Sequence, residues 1–570
     1  MLTNKILSVL LTISFILPLF VTENNNEVNA SEVHGMGCIL DEASNVSDTD
    51  LSEFYPIVYS SLPPSFDITT NSATRDYFPP TGDQHDVESC VGWATTYYQF
   101  TYEVNRFRNK TRNSQEYIQY SPTVTYNYIN CGKNNGSSLR EAYNVLKNQG
   151  GFRYRNNDNN TTSNYSFLWP NNETEMVDAL KYRSTPYPVA IGSNTNNIYM
   201  VKSLIAQGHV AVVSVYYHGL SMTERNGNII CYRAGDKLSS DTSNGCGHAL
   251  TVVGYDDNFA VTINNHTFTG AFKLVNSWGT GSANKEYIWV TYDSLNLVSS
   301  QQNWENNYTR TRVPVFGDDN IFNFIQVNEY QEVIAGILSF NSNDVWRLSI
   351  KNSLSNESDY VWNNISWPNT YMHYVPLNYY KNYKLAYDYL DESNITNSSE
   401  YLNSTWYMEM LGFSSGSTIN IKTKLVDNLG IEIASVSGGS TSTSGNCTQQ
   451  IQLSLSKGKV SAYDNSPINS DDYSLVSQYL LNDGPPLSNL QILLADYNDD
   501  GEVDITDLVL IMMRVSANNN ATFYLDDYIE QWGCSLADIM EDKFDVDLHN
   551  YSGQEFINST CIRYLNNSLH

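Results

Sequence analysis

Apolar residues in the first half of the chain recur at helical spacing and then change to a strand pattern. Trp93, Tyr97, Phe100 and Val104 lie three and four residues apart, which predicts an amphipathic helix beginning near Cys90. The stretch 138–151 repeats this spacing and ends at glycine, which predicts another helix. After residue 208, runs rich in β-branched and aromatic residues are typical of strands. Helices followed by strands predict an α+β domain over residues 62–308.

Residues 309–450 contain short apolar segments separated by Asn, Ser and Gly turns. This pattern predicts an all-β accessory domain of the sandwich type. Within it, residues 438–445 read GGSTSTSG and are interpreted as a flexible linker. A compact acidic segment follows at 451–516, and residues 517–570 are unassigned. Residues 31–61 are polar without periodicity and are interpreted as a linker or a short pro-segment.

The N-terminus and the charge indicate where the protein works. Residues 1–30 resemble a secretory signal peptide, with Lys5, an apolar stretch over 6–21 and small residues before the cleavage point. No later segment is long and apolar enough to suggest a membrane span. The net charge of −29 disfavours nucleic acid and anionic membranes as partners. We therefore expect a secreted, extracellular protein.

Cys90 is the first candidate for chemistry. A cysteine at a helix N-terminus lies at the positive end of the helix dipole, which favours the nucleophilic thiolate. Gln84, six residues earlier, could donate its side-chain NH2 to an oxyanion that develops beside the sulfur. An isolated cysteine is more often a core residue. The assignment of Cys90 therefore depends on the rest of the chain.

Three separated segments resemble the papain-like cysteine peptidases, closest in style to secreted bacterial members. Gln84 and Cys90 stand at the family's spacing, His248 lies in GHALTVVGYDD, and Asn276 lies in LVNSWGTG. The resemblance covers about residues 62–308 and implies a two-lobed α+β fold. It implies that Cys90 is the nucleophile, His248 its acid–base partner, Asn276 the residue that orients the histidine, and Gln84 an oxyanion donor. It implies no cofactor for catalysis and a protein or peptide substrate.

Some neighbours depart from the family pattern. His85 and Glu88 stand where glycines are common, and Val91 stands where an aromatic residue is usual. Glu88 matches a position that lines the cleft on the S1 side, so it either favours a basic residue or obstructs the pocket. Trp278 matches an indole that shields the hydrogen bond between histidine and asparagine, and it is assigned with Glu88 to substrate binding. The segment before the domain is too short for the family's long inhibitory propeptide, so activation by its removal is not expected.

Residues 496–507 have the pattern of a calcium loop. Oxygen-bearing side chains fall at loop positions 1, 3, 5, 9 and 12, with glycine at position 6. This segment resembles a type I dockerin, which implies calcium and the cohesin domain of a scaffold protein in a cellulosome-like, cell-surface complex. The predicted ligands are Asp496, Asn498, Asp500, the backbone carbonyl of Glu502, Asp504 and Asp507.

An eroded copy of the loop lies upstream, at residues 461–472. Asn465, Asn469 and Asp472 could still be ligands, but Ser461 and Tyr463 occupy positions 1 and 3. We therefore predict one firm calcium site and one weak or absent site, and loss of structure without calcium. Positions that match the family's cohesin contacts are Ser470, Asp471, Ile505 and Thr506.

Two alternatives to a scaffold-bound endopeptidase remain at this point. The peptidase-like domain could bind peptides without cleaving them, as a structural component of a scaffold complex. It could also act on cell-wall peptides as an amidase or transpeptidase, because both reactions use an acyl-enzyme.

Overall fold

The structure is a computed structural model in which only part of the chain is described. The predicted signal segment 1–30 and the tail beyond residue 517 lie outside that part. Within it, no helix combines the length and the apolar character needed to cross a membrane. The described residues are 36–39, 61–130, 134–154, 173–191, 195–216, 221–225, 228–233, 247–263, 265–280, 286–295, 316, 320–341, 347–352, 383–391, 402–403, 405–411, 418–441 and 446–517.

A long helical segment begins at Cys90 and passes through the first lobe. It consists of α1 (Cys90–Gly92), a π-helical segment (Trp93–Phe100) and α2 (Thr101–Phe107). The apolar stripe that predicted this helix is buried along the π-helical part. Gly92 is required by close packing, because a Cβ there would lie 2.5 Å from the carbonyl oxygen of Pro122. The predicted helix is confirmed, with π winding in its middle.

Further helices of this domain follow along the chain. Ser138 and Glu141 form a capping box in which each side chain accepts the other's backbone N–H, at 3.2 and 2.9 Å, which starts the helix predicted over 138–151. The helices of this domain are α3 (Pro122–Asn130), α4 (Leu139–Asn148), α5 (Glu173–Leu180) and α6 (Thr195–Ala206).

The second lobe is a mixed sheet of nine strands within the described residues. Its strand order is β4-β11-β5-β8-β9-β10-β7-β6, with β2 paired to β8, while β1 pairs separately with β3. The strands are β1 (Cys38–Ile39), β2 (Ser65–Asp67), β3 (Ser137–Ser138), β4 (Tyr182–Ala190), β5 (Ala211–Tyr216), β6 (Ser221–Arg225), β7 (Asn228–Arg233), β8 (Gly247–Ile263), β9 (His266–Val275), β10 (Tyr287–Thr291) and β11 (Ile321–Glu329).

Strand β11 corrects the domain boundary predicted at residue 308. It pairs with β4 along its whole length and touches β5 at Asn323 and Val212. Phe322 and Phe324 are fully buried in the core of this sheet. The apolar pattern predicts a strand here, but periodicity does not reveal which strand it pairs with. The sheet of the first domain therefore extends to Glu329.

The described residues of the accessory region form two antiparallel sheets. One has the order β14-β12-β16-β17 and the other β13-β15-β18. Residues 438–441, interpreted as part of a flexible linker, belong to β17, because their backbone pairs with β16. The strands are β12 (Glu332–Asn341), β13 (Arg347–Asn352), β14 (Tyr383–Asp391), β15 (Thr405–Leu411), β16 (Thr418–Val426), β17 (Glu432–Thr441) and β18 (Asn446–Gln452).

The C-terminal region is helical and packs on the accessory sheets. It contains α7 (Ser470–Leu481), α8 (Asn489–Ala495) and α9 (Ile505–Ala517). Its buried side chains share one apolar core with residues of β12 and β16. The Tyr463 hydroxyl donates to Asp427 at 2.6 Å, which ties the loop before α7 to the turn between β16 and β17. The region is therefore attached by a packed interface.

Candidate functional site

Cys90 occupies the position predicted for a nucleophile. It is the first residue of the long helical segment and is completely buried. A tight turn leads into it, in which the N–H of Ser89 donates to Val87 at 2.8 Å. His85, in the same turn, has a φ of 51°. This left-handed conformation explains why glycine is common at that position in the family that the sequence resembles.

His248 and Asn276 meet because their strands are neighbours. His248 is the second residue of β8 and Asn276 follows β9, and the antiparallel pairing of these strands brings the two side chains together. His248 Nε2 lies 2.8 Å from Asn276 Oδ1. The same oxygen accepts the Ser277 N–H at 2.8 Å, which fixes the orientation of the amide. His248 Nε2 is therefore the donor, and a proton exchanged with a thiol is carried on Nδ1.

Trp278 covers this pair. Its indole lies against the His248 ring, with a centroid distance of 4.9 Å and a tilt of 30°. The side chain is 9% exposed, so it excludes most of the water from the hydrogen bond below it. The structure thus places the Trp278 indole against the His248 ring.

Gln84 is held firmly beside the same residues. Its Nε2 donates to the Val87 carbonyl at 2.9 Å, and its Oε1 accepts from the Ser277 hydroxyl at 2.5 Å. The Gln84 N–H also donates to the Ser277 carbonyl at 2.8 Å. Ser277 therefore positions both Gln84 and Asn276, a role that the sequence reasoning missed although the residue stands inside the quoted Asn-Ser-Trp motif. A hydroxyl next to the asparagine is the signal that could have revealed it.

The electrostatic surroundings of Cys90 favour the neutral thiol. The pKa of the Cys90 thiol is raised to about 12, mainly by burial and to a smaller extent by the carboxylate of Glu88. Hydrogen bonds from backbone N–H groups of Ala249, Val91 and Cys38 oppose this rise. Ala249 directly follows His248, so this hydrogen bond shows that the first residues of β8 lie beside the sulfur. The helix terminus alone does not produce a thiolate in this arrangement.

The third of those N–H groups belongs to a segment that fills the cleft. Cys38 and Ile39 pair in parallel with Ser137 and Ser138, and the Ser137 N–H donates to Gly37 at 2.7 Å. The fit is close, because a Cβ on Gly247 would lie 1.9 Å from the Cys38 carbonyl oxygen. Residues 36–39 were expected to be aperiodic linker or pro-segment, and they lie over the buried side chain of Cys90.

Glu88 borders this segment on the other side. Its side chain is partly buried, which raises its pKa, and its backbone N–H donates to Asn134 at 2.8 Å. A Cβ on Gly37 would lie 2.4 Å from the Cβ of Glu88. The space beside Glu88 thus accommodates a residue without a side chain, which is the arrangement expected if Glu88 obstructs the pocket.

The predicted calcium loop has the backbone of such a loop. Asp496 accepts the N–H groups of Asp500 and Gly501 at 3.2 and 3.1 Å, which closes the sharp turn at Gly501. Asp507 is completely buried and accepts the Asp504 N–H at 2.9 Å. Burial raises the pKa of Asp507 to about 6, and the nearby Asp496 carboxylate adds to the rise. A buried carboxylate in this state is one that a bound cation would stabilise.

The donor chemistry of the loop fits calcium. Carboxylate, amide and carbonyl oxygens are the ligands that calcium prefers. Among the residues that the structure describes, no group of three or more His, Cys, Asp or Glu is arranged to hold a metal ion. Loop oxygens bond to loop donors, as in the 2.7 Å bond from Asn498 Nδ2 to Asp500 Oδ2. Asn498 and Asp500 would therefore exchange these bonds for calcium.

Comparisons with known proteins add two findings. Solved structures to which the chain is similar include xylellain, a cysteine protease from Xylella fastidiosa, at 19% identity, covering 52% of this chain and 97% of that one with a TM-score of 0.33. ProCathepsin B S9 from Trypanosoma congolense matches at 14% identity, with coverage of 51% and 87% and a TM-score of 0.32. A search of curated protein sequences gives no match. Residues 463–516 match the Dockerin type I domain, which confirms the resemblance predicted for that segment.

Proposed function

We propose that this protein is a secreted papain-like cysteine endopeptidase, tethered to a cohesin-bearing scaffold by its calcium-dependent dockerin region. The observation that carries the catalytic part is the 2.8 Å hydrogen bond between His248 and Asn276 beside the buried sulfur of Cys90. This set of residue types, in this order along the chain, suits acyl transfer through a thioester.

The first half of the reaction makes an acyl-enzyme. Cys90 gives its proton to His248 Nδ1, and the sulfur attacks the peptide carbonyl carbon to form a tetrahedral oxyanion. The Gln84 side-chain NH2 and the Cys90 N–H stabilise that oxyanion, each donor contributing about 3 kcal/mol. His248 then donates its proton to the leaving amine as the C–N bond breaks. The products are a thioester on Cys90 and the free amine.

The second half regenerates the enzyme. A water molecule loses a proton to His248 Nδ1 and attacks the thioester carbonyl. Collapse of the second oxyanion releases the carboxylic acid and returns the thiol to Cys90. Throughout, Asn276 Oδ1 accepts the Nε2 proton of His248, which keeps the ring in one plane and one tautomer.

The protein is latent while residues 36–39 lie in the cleft. The segment covers the nucleophile and contributes to the burial that keeps Cys90 a neutral thiol. A polypeptide substrate needs the same backbone positions at Ser137 and Gly247. Proteolytic removal or displacement of this short segment therefore precedes turnover.

Glu88 sets the specificity of the open cleft. It obstructs the pocket beside Cys90 and leaves room for a small residue of the substrate, as its contact with Gly37 suggests. A peptide library cleaved equally well with small and with bulky residues at this position would contradict this assignment.

The dockerin region directs the enzyme to its place of action. Calcium held by Asp496, Asn498, Asp500, Glu502, Asp504 and Asp507 would neutralise the buried carboxylate and order the loop before α9. A cohesin domain of a scaffold protein is the partner that a type I dockerin implies, and it places the enzyme outside the cell. The signal segment 1–30 is consistent with that location.

One experiment tests the proposal as a whole. The full chain and Cys90→Ala are incubated with a denatured protein after limited proteolysis of the N-terminal segment, in reductant and with calcium or chelator. We expect peptide bonds to be cleaved by the wild-type chain alone, and an epoxide probe to label Cys90. Labelling without cleavage would instead support a peptide-binding component, and transfer to added amines in preference to water would support a transpeptidase.

A further inference from the structure

The residue at loop position 12 has different surroundings in the two halves of the dockerin region. In both, this aspartate is fully buried and accepts the N–H of loop position 9 at 2.9 Å: Asn469 to Asp472 in the first half, and Asp504 to Asp507 in the second. The two loops therefore share the same closing contact. What differs is the source of positive charge beside each aspartate.

In the first half, that charge is supplied by a lysine. Lys459 Nζ lies 3.3 Å from Asp472 Oδ2 and 3.3 Å from the hydroxyl of Ser461. Its side chain is only 4% exposed. A second acidic side chain, that of Asp464, lies 4.0 Å away. The ammonium thus contacts loop positions 1, 4 and 12, and positions 1 and 12 are two of those that bind the ion in a calcium loop.

The spacing of the two halves shows what has changed. A shift of 35 residues superimposes Ser461 on Asp496 and Asp472 on Asp507, and it places Lys459 on Leu494. Leu494 is completely buried in the apolar core. The two halves therefore differ at this position: one has a buried leucine and the other a buried lysine. Lysine is almost never fully buried unless it is paired, so the partners of this lysine matter.

One position of the first loop that would carry a ligand, Tyr463, is engaged elsewhere. Tyr463, at position 3, bonds to Asp427 at 2.6 Å and to Ser488 at 2.8 Å, and so points to the accessory region and the start of α8. Asn469, at position 9, accepts the Asp471 N–H at 2.8 Å as the N-cap of α7. Tyr463 therefore does not face an ion between positions 1 and 12. The N-cap contact of Asn469 has a counterpart in the second loop, where Asp504 accepts the Thr506 N–H at 2.7 Å, so it does not distinguish the two loops.

We infer that the Lys459 ammonium is the resident cation of the first half-hand and replaces calcium there. The first loop and α7 are then folded with or without calcium, and only the second loop and α9 respond to it. This inference rests on the dockerin match and the contacts of Lys459, and it does not depend on the peptidase activity. It differs from the expectation that the region loses most of its structure without calcium, and the experiments below decide between the two.

Hydrogen exchange on the full chain tests the inference directly. With calcium, both helices are expected to be protected. With chelator, amides of α9 (Ile505–Ala517) are expected to exchange at least about tenfold faster, while those of α7 (Ser470–Leu481) keep their protection. Equal loss of protection in both helices would overturn the inference, as would binding of two calcium ions per chain in titration calorimetry.

Substitution of the lysine provides the second test. Lys459→Met keeps most of the volume and removes the charge, so α7 should lose protection in calcium and in chelator alike, whereas the exposed Lys147→Met is the matched control. The triple variant K459L/S461D/Y463N gives the first loop the leucine and ligands of the second, and it should bind a second calcium ion. A K459M chain with unchanged α7 exchange, or a triple variant that still binds one ion, would contradict the inference.

Discussion

The cleft around Cys90 and the loop around Asp507 both hold an acidic group whose pKa is raised by burial. The pKa of Cys90 is raised to about 12 and that of Asp507 to about 6, with burial as the main cause in each. The changes that would activate the two sites are opposite. Under the proposed function, the cleft must lose residues 36–39, which cover the thiol, whereas the loop must gain a cation beside its carboxylate. One site is therefore switched on by removal and the other by binding.

The difference follows from how each site is built. The loop is twelve consecutive residues whose backbone already has the required turn, so only charge is missing. The cleft draws Gln84, Cys90, His248 and Asn276 from distant segments, and a further segment of the same chain lies between the lobes. A discontinuous site can be closed by its own chain, because the strand edges that receive a substrate also receive the chain.

The largest effect is expected when the candidate nucleophile is removed. Cys90→Ala should lower kcat by at least about 10⁴-fold after removal of the N-terminal segment, because the nucleophile is absent. Calcium binding should be unchanged, since the second loop does not contact the cleft. Hydrolysis of a fluorogenic peptide and titration calorimetry on the same sample measure both quantities. Retained turnover would show that the cleft is not the reaction site.

The next effect concerns the loop alone. Asp507→Asn removes the buried charge and should weaken calcium binding by about a hundredfold or more, because a ligand that can share two oxygens is lost. Asp499→Asn is the matched control: Asp499 is an exposed aspartate of the same loop, at a position that does not face the ion. Equal weakening in both variants would indicate a general charge effect. Peptidase activity should stay at the wild-type level in each.

Opening the cleft without proteolysis should have a smaller effect. Gly37→Ala places a Cβ against Glu88 and puts a side chain at a φ of 102°, so the segment should leave the cleft. Because each unit by which the pKa of Cys90 falls raises the thiolate fraction tenfold, iodoacetamide should alkylate Cys90 at least about tenfold faster. Gly430→Ala, another glycine at positive φ, controls for strain. An unchanged alkylation rate would mean that residues 36–39 do not limit access to Cys90.

The calcium affinity of the loop around Asp507 should depend on pH. The folded pKa of Asp507, about 6, lies above the usual value of about 4, so the calcium-free loop becomes less stable as pH rises from 4 to 6. Calcium must displace this proton, and its affinity should fall about tenfold per pH unit below pH 6. Calorimetry in two buffers of different ionisation heat would detect the released proton. Binding that is constant between pH 5 and 7 would contradict the assignment.

The smallest effect tests the neighbour of the nucleophile. Glu88→Gln keeps the shape of the side chain and removes a charge that raises the pKa of Cys90. In the Gly37→Ala background, the midpoint of alkylation against pH should fall by less than about one unit, because the carboxylate is partly exposed to solvent. A rise in the midpoint would mean that Glu88 does not act on the thiol through its charge.

Much of this protein was determined by the sequence alone. The spacing of Gln84 and Cys90, the two motifs around His248 and Asn276, and the loop 496–507 were readable because each is a short run of specific residue types. The helix from Cys90 and the strands β8 and β9 followed from periodicity. Local patterns of this kind arise from contacts within a turn or a strand, which neighbouring residues encode.

Only the tertiary structure decided the rest, because those features depend on which distant segments meet. It brought the Ser277 hydroxyl between Gln84 and Asn276, and it joined β11 to the first sheet instead of the accessory region. It laid Cys38 over Cys90, although residues 36–39 carry no periodic signal. It also buried Lys459 beside Asp472, thirteen residues away. Pairing partners and burial are set by the whole fold, and no local pattern specifies them.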